Sequence, residues 1–232
     1  MVRVDDVSKT YRTGVESVTA LDSVTLQIET GGFVAVQGPS GCGKTTLLLT
    51  VGGLLKPDNG SVTIDGESLY EMPIERRTKF RAGSIGFVFQ QFHLVPYLNV
   101  RDNVLAPTMA LPLDDARERA EELLEEFNLL DRLKHTPAEL STGERQRVAL
   151  ARAMLHEPRV ILADEPTGNL DERNAEIVLG ALAEFAGAGG TVMLVTHDNA
   201  AAAWAERILR IDRGRLVEGG ETAARHNAKA AG

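Results

Sequence analysis

Gly38-Pro39-Ser40-Gly41-Cys42-Gly43-Lys44-Thr45 has the spacing G-x-x-x-x-G-K-[ST] and follows the apolar run Phe33-Val34-Ala35-Val36. A glycine-rich turn after a strand lets successive backbone N–H groups point inward at phosphate oxygens. A helix beginning near Lys44 adds its positive end at the same place. In that arrangement Gly38, Ser40, Gly41, Cys42, Gly43 and Thr46 cradle a nucleotide's phosphates, and Lys44 neutralises the β- and γ-phosphates. The Thr45 hydroxyl takes the position of a ligand to nucleotide-bound Mg²⁺. A turn needed only for its geometry requires neither the lysine nor the hydroxyl.

Val160-Ile161-Leu162-Ala163-Asp164-Glu165-Pro166 is a second reactive stretch, an apolar strand that ends in two carboxylates. Such a run reads as a buried parallel strand delivering acids to the carboxyl edge of a sheet, where ligands gather. Successive side chains on a strand leave in different directions. Asp164 is therefore expected at the metal, while Glu165 polarises an attacking water. A solvated acidic turn before a proline is the bland alternative, and the phosphate loop upstream weighs against it.

A third stretch, Leu140-Ser141-Thr142-Gly143-Glu144-Arg145-Gln146, resembles the L-S-G-G-Q signature of the ABC transporter ATP-binding family. Further motifs follow that family's order, and the resemblance runs from Val2 to about Val217. It implies that Tyr11 stacks on adenine and that Gln90, in Gly86-Phe87-Val88-Phe89-Gln90, senses Mg²⁺ and water. It implies too that Asp171, in Gly168-Asn169-Leu170-Asp171, links two active sites, and that His197 is a switch near the γ-phosphate. Glu165, His197 and Gln90 would be the catalytic set, with Thr45, Gln90 and Asp164 at the metal. Ser141, Thr142, Gly143 and Glu144 would act on the nucleotide of an opposite subunit. The stretch from Gly86 to Pro96, followed by Asn103-Val104, looks most like the lipoprotein-releasing, macrolide-exporting and cell-division branch.

Local chemistry gives some of these residues a second reading. Ser141-Thr142-Gly143-Glu144 is also an S-x-x-E capping box for a helix through Val148, Leu150 and Met154, and one serine can serve both roles. Thr142 stands where the family has glycine; a left-handed backbone there would strain a β-branched residue by about 1 kcal/mol or more. Tyr11 could be a strand residue packed on its sheet. Five histidines show no metal-ligand spacing, and for all but His197 a surface or core role is the better reading.

These residues need a sheet to position them. Val2 to Tyr11, Ala20 to Ile28 and Ser61 to Asp65 have strand character, while Phe33 to Val36, Ile85 to Phe89, Val160 to Ala163 and Thr191 to Val195 read as buried strands of one nucleotide-binding sheet. Between Gln90 and about Pro158 the pattern is helical: Ala116, Ala120, Leu123, Leu124 and Phe127 share a face opposite Glu121, Glu122, Glu125 and Glu126. The expected fold is thus α/β, a phosphate-loop NTPase of ABC ATPase type. It would have a mixed sheet core, an antiparallel β section and a helical subdomain inserted at about 91–158. Residues 1–220 would form the nucleotide-binding domain and 221–232 a loosely ordered tail.

Composition narrows the partners. A chain of 232 residues with 43% hydrophobic content can bury a substantial core. A net charge of −8 argues against a general nucleic-acid binder, so no direct nucleic-acid contact is expected. Cys42 is the single cysteine, which leaves no internal disulfide, and no apolar run reaches the roughly 18 residues of a membrane span. The chain is expected to be cytoplasmic, held at the inner face of the cell membrane by an integral membrane permease on a separate chain. With one phosphate loop and one signature, the resemblance implies an ATP-dependent homodimer or heterodimer, with ATP and Mg²⁺ as cofactors. Two alternatives stand beside it: a regulatory subunit that moves no substrate, and a soluble ATPase acting on ribosomes or DNA.

Overall fold

Three short apolar strands divide their side chains between two cores. Phe33 and Ala35, Ile161 and Ala163, and Val192 and Leu194 face one apolar cluster; Val34 and Val36, Val160 and Leu162, and Met193 and Val195 face the other. Side chains alternate across a strand, so a sheet covered on both faces needs apolar residues at every position. That is why these strands read as unbroken apolar runs. The computed structural model describes residues 1–14 and 16–217. The tail expected at 221–232, with His226, lies outside the described residues.

In chain order the elements are β1 (Val2–Thr13), β2 (Glu16–Ile28), β3 (Phe33–Gln37), α1 (Lys44–Val51), β4 (Asn59–Ile64), β5 (Glu67–Ser68), α2 (Ile74–Ser84) and β6 (Ile85–Phe89). They continue with α3 (Val100–Leu105), α4 (Ala116–Glu126), α5 (Thr142–Met154), β7 (Val160–Asp164), α6 (Glu172–Gly187), β8 (Thr191–Val195), α7 (Asn199–Ala202), β9 (Arg207–Asp212) and β10 (Arg215–Val217). One sheet, in the order β2-β1-β4-β5, is antiparallel; the other runs β10-β9-β3-β8-β7-β6. In the second sheet β9, β3, β8, β7 and β6 are parallel, and β10 returns antiparallel on β9. The mixed α/β fold is the expected one, but the nucleotide-facing sheet has six strands where four were expected.

The antiparallel sheet closes one core over α1, whose Leu47, Leu48 and Val51 are buried with Val4, Val62 and Ile64. The other core joins α5 and α6 to the helices that follow β6. On α4, Ala116, Ala120, Leu123 and Leu124 are buried, as is Phe127 just beyond it, while Glu121, Glu122, Glu125 and Glu126 are exposed. Burying a side chain such as Leu124 contributes about 1.5–3 kcal/mol, so this stripe docks the helix. Two features escaped the periodicity. Helix α2 buries none of its residues, and β9 mixes Arg207, Arg210 and Asp212 with its apolar positions.

Candidate functional site

The phosphate loop is shaped by two close backbone approaches. Gly43 caps α1 with φ of 111°, and a Cβ there would lie 2.1 Å from the Ala20 carbonyl oxygen. A Cβ on Gly38 would lie 2.2 Å from the Ile211 carbonyl oxygen. No larger residue fits at either position without moving backbone. β9, which supplies Ile211, thus helps to set the loop although the sequence pattern did not reveal it. Lys44 is 8% exposed, and its Nζ donates to the carbonyls of Gly38 (2.6 Å) and Pro39 (2.8 Å). An ammonium carries three N–H donors, so one remains for a phosphate oxygen.

The ends of the parallel strands bring the other groups to this loop. A cleft of about 550 Å³ is lined by Gly38, Ser40, Gly41, Gly43, Lys44, Thr45, Thr46, Gln90, Asp164, Glu165 and His197, together with Ala20 and Pro39. Thr45 Oγ1 donates to Asp164 Oδ2 at 2.9 Å. Burial pushes the Asp164 carboxyl up, and the charge of Glu165 adds to this, against the opposing pull of the Thr45 hydrogen bond and Lys44. A carboxylate that is costly to ionise in place is suited to a cation. The hydroxyl of Thr45, the carboxylate of Asp164 and the amide oxygen of Gln90 are hard oxygen donors of the kind Mg²⁺ takes.

Asp164 and Glu165 part company, and the cause is the backbone beyond the strand, since β7 ends at Asp164. Glu165 adopts φ of 47°, a left-handed conformation that is sparsely populated outside glycine, and its N–H donates to Val195 O. Its carboxylate then meets the end of β8: Oε1 lies 2.7 Å from His197 Nδ1, and Oε2 accepts from Thr196 Oγ1 at 3.1 Å. Thr196 is fully buried and was not singled out from the sequence; its only signal is its place immediately before His197.

Other expected residues stand apart from the cleft. Cys42 lies within the loop, but its side chain is buried in the apolar core. Tyr11 is 41% exposed and pairs with Val18 on β2, two residues along from Ala20 at the cleft rim. Ser141 caps α5: its Oγ accepts from the Glu144 N–H, and Glu144 Oε2 accepts from the Ser141 N–H. Arg132 Nε donates to Glu144 Oε1 at 2.9 Å. That bond, with the Ser141 N–H, holds the Glu144 carboxyl down to about 2. Thr142 is the first residue of α5 and is not among the residues with positive φ, so the strain expected there does not arise. Asp171 caps α6 by accepting from the Asn174 N–H. None of Ser141, Thr142, Gly143, Glu144 and Asp171 lines the cleft.

A larger cleft, about 730 Å³, lies at the amino edge of the sheet between Met1, Asp65, Arg159, Phe185 and Thr191. Its Arg159 is paired with Asp65 at 3.1 Å, and its other charged groups, Arg119, Glu126, Glu157 and Glu184, stand beside no glycine-rich loop and helix start of the kind that binds phosphate. The strand ends beside the glycine loop are therefore the better candidate.

Known proteins resemble this chain over most of its length. Residues 21–168 match the family model described as "ABC transporter". YknY of Bacillus subtilis, an uncharacterized ABC transporter ATP-binding protein, is 41% identical over 94% of this chain and 95% of its own length. LolD of Pseudomonas syringae pv. tomato, a lipoprotein-releasing system ATP-binding protein, is 44% identical over 92% of this chain and 95% of its own. MacB of Chlorobium luteolum, a macrolide export ATP-binding/permease protein, is 42% identical over 94% of this chain, which spans only 33% of that relative. A dimeric ATP-binding cassette in a post-hydrolysis state with ADP and Pi superposes with a TM-score of 0.90 at 39% identity, covering 96% of this chain and 99% of that one.

Proposed function

Since the chain belongs to the ABC transporter family, as an ATP-binding and ATP-hydrolysing subunit, we propose that it drives a permease carried on a separate membrane chain, for export or lipoprotein release. The observation that carries the proposal is the convergence of Lys44, Thr45, Gln90, Asp164, Glu165 and His197 in one cleft. The relatives YknY and LolD, of similar length, are themselves ATP-binding proteins by name. Among the described residues no helix is long and apolar enough to cross a membrane.

In this proposal the N–H groups of the loop from Gly38 to Thr46 and the Lys44 ammonium bind the phosphates, and Tyr11 stacks the adenine. Thr45, Asp164 and Gln90 would hold Mg²⁺, which when bound neutralises phosphate charge. Glu165 accepts the proton of a water as its oxygen attacks the γ-phosphorus and the bond to the β-phosphate oxygen breaks, giving ADP and phosphate. His197 orients the Glu165 carboxylate by donating from Nδ1, and its Nε2 donates to a γ-phosphate oxygen when both ring nitrogens carry protons. Since the signature residues lie away from the cleft, a second subunit supplies Ser141 and Gly143 to cap the γ-phosphate at the start of its α5, where N–H groups and the helix dipole favour an anion. The Ser141 hydroxyl accepts its capping bond through oxygen and keeps its O–H for that contact.

Light scattering after size-exclusion chromatography tests the composite site. Glu165→Gln should run as a monomer without nucleotide and as a dimer with Mg-ATP, and Ser141→Arg added to it should abolish the dimer. A Glu165→Gln protein that stayed monomeric at saturating ATP would overturn the two-subunit arrangement.

A further inference from the structure

Gly143 and Asn174 meet where the first turns of α5 and α6 touch. A Cβ at Gly143 would lie 2.2 Å from Asn174 Oδ1, 2.4 Å from its Cγ and 2.8 Å from its Nδ2. A flexible side chain would swing away from such a contact, but this amide is held at every polar atom. Its Nδ2 donates to both carboxylate oxygens of Asp171, at 3.0 and 2.8 Å, while Oδ1 accepts from an Arg147 NH group at 2.5 Å. The Asn174 backbone N–H also donates to Asp171 Oδ1, at 2.8 Å. Arg147 is fixed in turn by its Nε bond to Phe127 O, at 3.1 Å. Turning the amide over would set its NH₂ against the guanidinium and its oxygen against the carboxylate, so a single orientation satisfies the network.

We propose that Asn174 is a positioning residue that locks Gly143, at the start of α5, to Asp171, at the start of α6, so that both reach the opposite subunit's nucleotide as one rigid unit. Residue 143 must then be glycine for a reason within its own chain: α5 sits flush on the Asn174 amide only without a Cβ. Arg147 belongs to the same device, because it starts from α5 and fixes the amide that faces α6. The inference rests on the composite site proposed above, in which Ser141 and Gly143 act across the subunit boundary, and on the link between two active sites that the family resemblance gives Asp171.

The test uses the full chain with Glu165→Gln and reads two quantities: the affinity of the monomeric protomer for ADP, and the ATP-dependent dimer dissociation constant. Asn174→Asp is nearly isosteric and keeps the acceptor for Arg147, but it sets a carboxylate against Asp171. It should leave ADP affinity within about twofold and weaken the dimer about tenfold, the scale of one lost charge-assisted contact. Asn174→Ala and Gly143→Ala should each weaken the dimer, and their combination should be no worse than the worse single change, since both break one contact. Unchanged dimerisation of Asn174→Asp, or losses from Gly143→Ala and Asn174→Ala that multiply in the double variant, would overturn the inference while leaving the composite site standing. Failure of the Glu165→Gln parent to dimerise with ATP would sink both.

Discussion

His197 Nδ1 lies 2.7 Å from Glu165 Oε1, a contact made across the ends of two neighbouring parallel strands. β7 delivers the carboxylate and β8 the imidazole, and the left-handed backbone at Glu165 turns its side chain toward β8 while Asp164 stays with Thr45. Two adjacent acids therefore keep different company. One faces a hydroxyl and an ammonium beside the phosphate loop; the other faces a histidine and a buried threonine. In the proposed reaction that division assigns one carboxylate to a cation and its neighbour to a water.

Lys44→Ala should weaken Mg-ATP binding about a hundredfold or more, since in the proposed site it removes the ammonium charge beside the phosphates together with its one remaining charge-assisted hydrogen bond. Calorimetric titration with a non-hydrolysable ATP analogue measures this. Wild-type affinity in the variant would contradict the assignment of the loop.

Glu144 gives a pH dependence with a definite sign. Its carboxyl falls from an ordinary value of 4.5 to about 2, first through Arg132 and then through the Ser141 N–H. A depressed carboxyl pKa contributes stability above its unfolded value, and that contribution is lost as pH falls from about 4.5 towards about 2. Glu144→Gln should melt below wild type at pH 7, and the gap should narrow by pH 3. Melting curves at the two pH values decide it, and a constant gap would contradict the Arg132 pairing.

If Gln90 joins the cleft to the surface around Phe92 to Tyr97, that surface should dock the membrane partner, and Tyr97 offers the cleanest test. It is 82% exposed in the segment after Gln90, whereas Leu94 in the same segment packs against the apolar core, where a charge would disturb the fold. Tyr97→Glu should therefore keep the partner-free ATPase rate and lose most of the stimulation by a membrane chain co-purified from native membranes. Equal stimulation of variant and wild type would remove this segment from the docking surface.

What the sequence made legible is what short spacings encode. The phosphate loop, the acid-ending strand and the S-x-x-E cap each occupy fewer than ten consecutive residues, and local geometry alone makes each one meaningful. Four buried strands were legible because both of their faces are covered. β9 was not, because Arg207, Arg210 and Asp212 break its apolar run, and α2 was not, because it buries no residue to mark a periodic face. Thr196 and Asn174 escaped for another reason: their partners, Glu165 and Gly143, are 31 residues away in each case, and only the fold brings them together. At Thr142 the expected strain came from assuming a left-handed backbone, and the first turn of α5 has none.

The most direct measurement is phosphate release by wild type and Glu165→Gln at saturating Mg-ATP, with bound nucleotide quantified in the same samples. Glutamine keeps the shape of the side chain but cannot accept the water's proton. The variant should bind ATP at least as tightly as wild type and release phosphate about 10²–10⁴-fold more slowly, the usual contribution of a positioned general base. Phosphate release by Glu165→Gln at the wild-type rate would contradict the account at its centre.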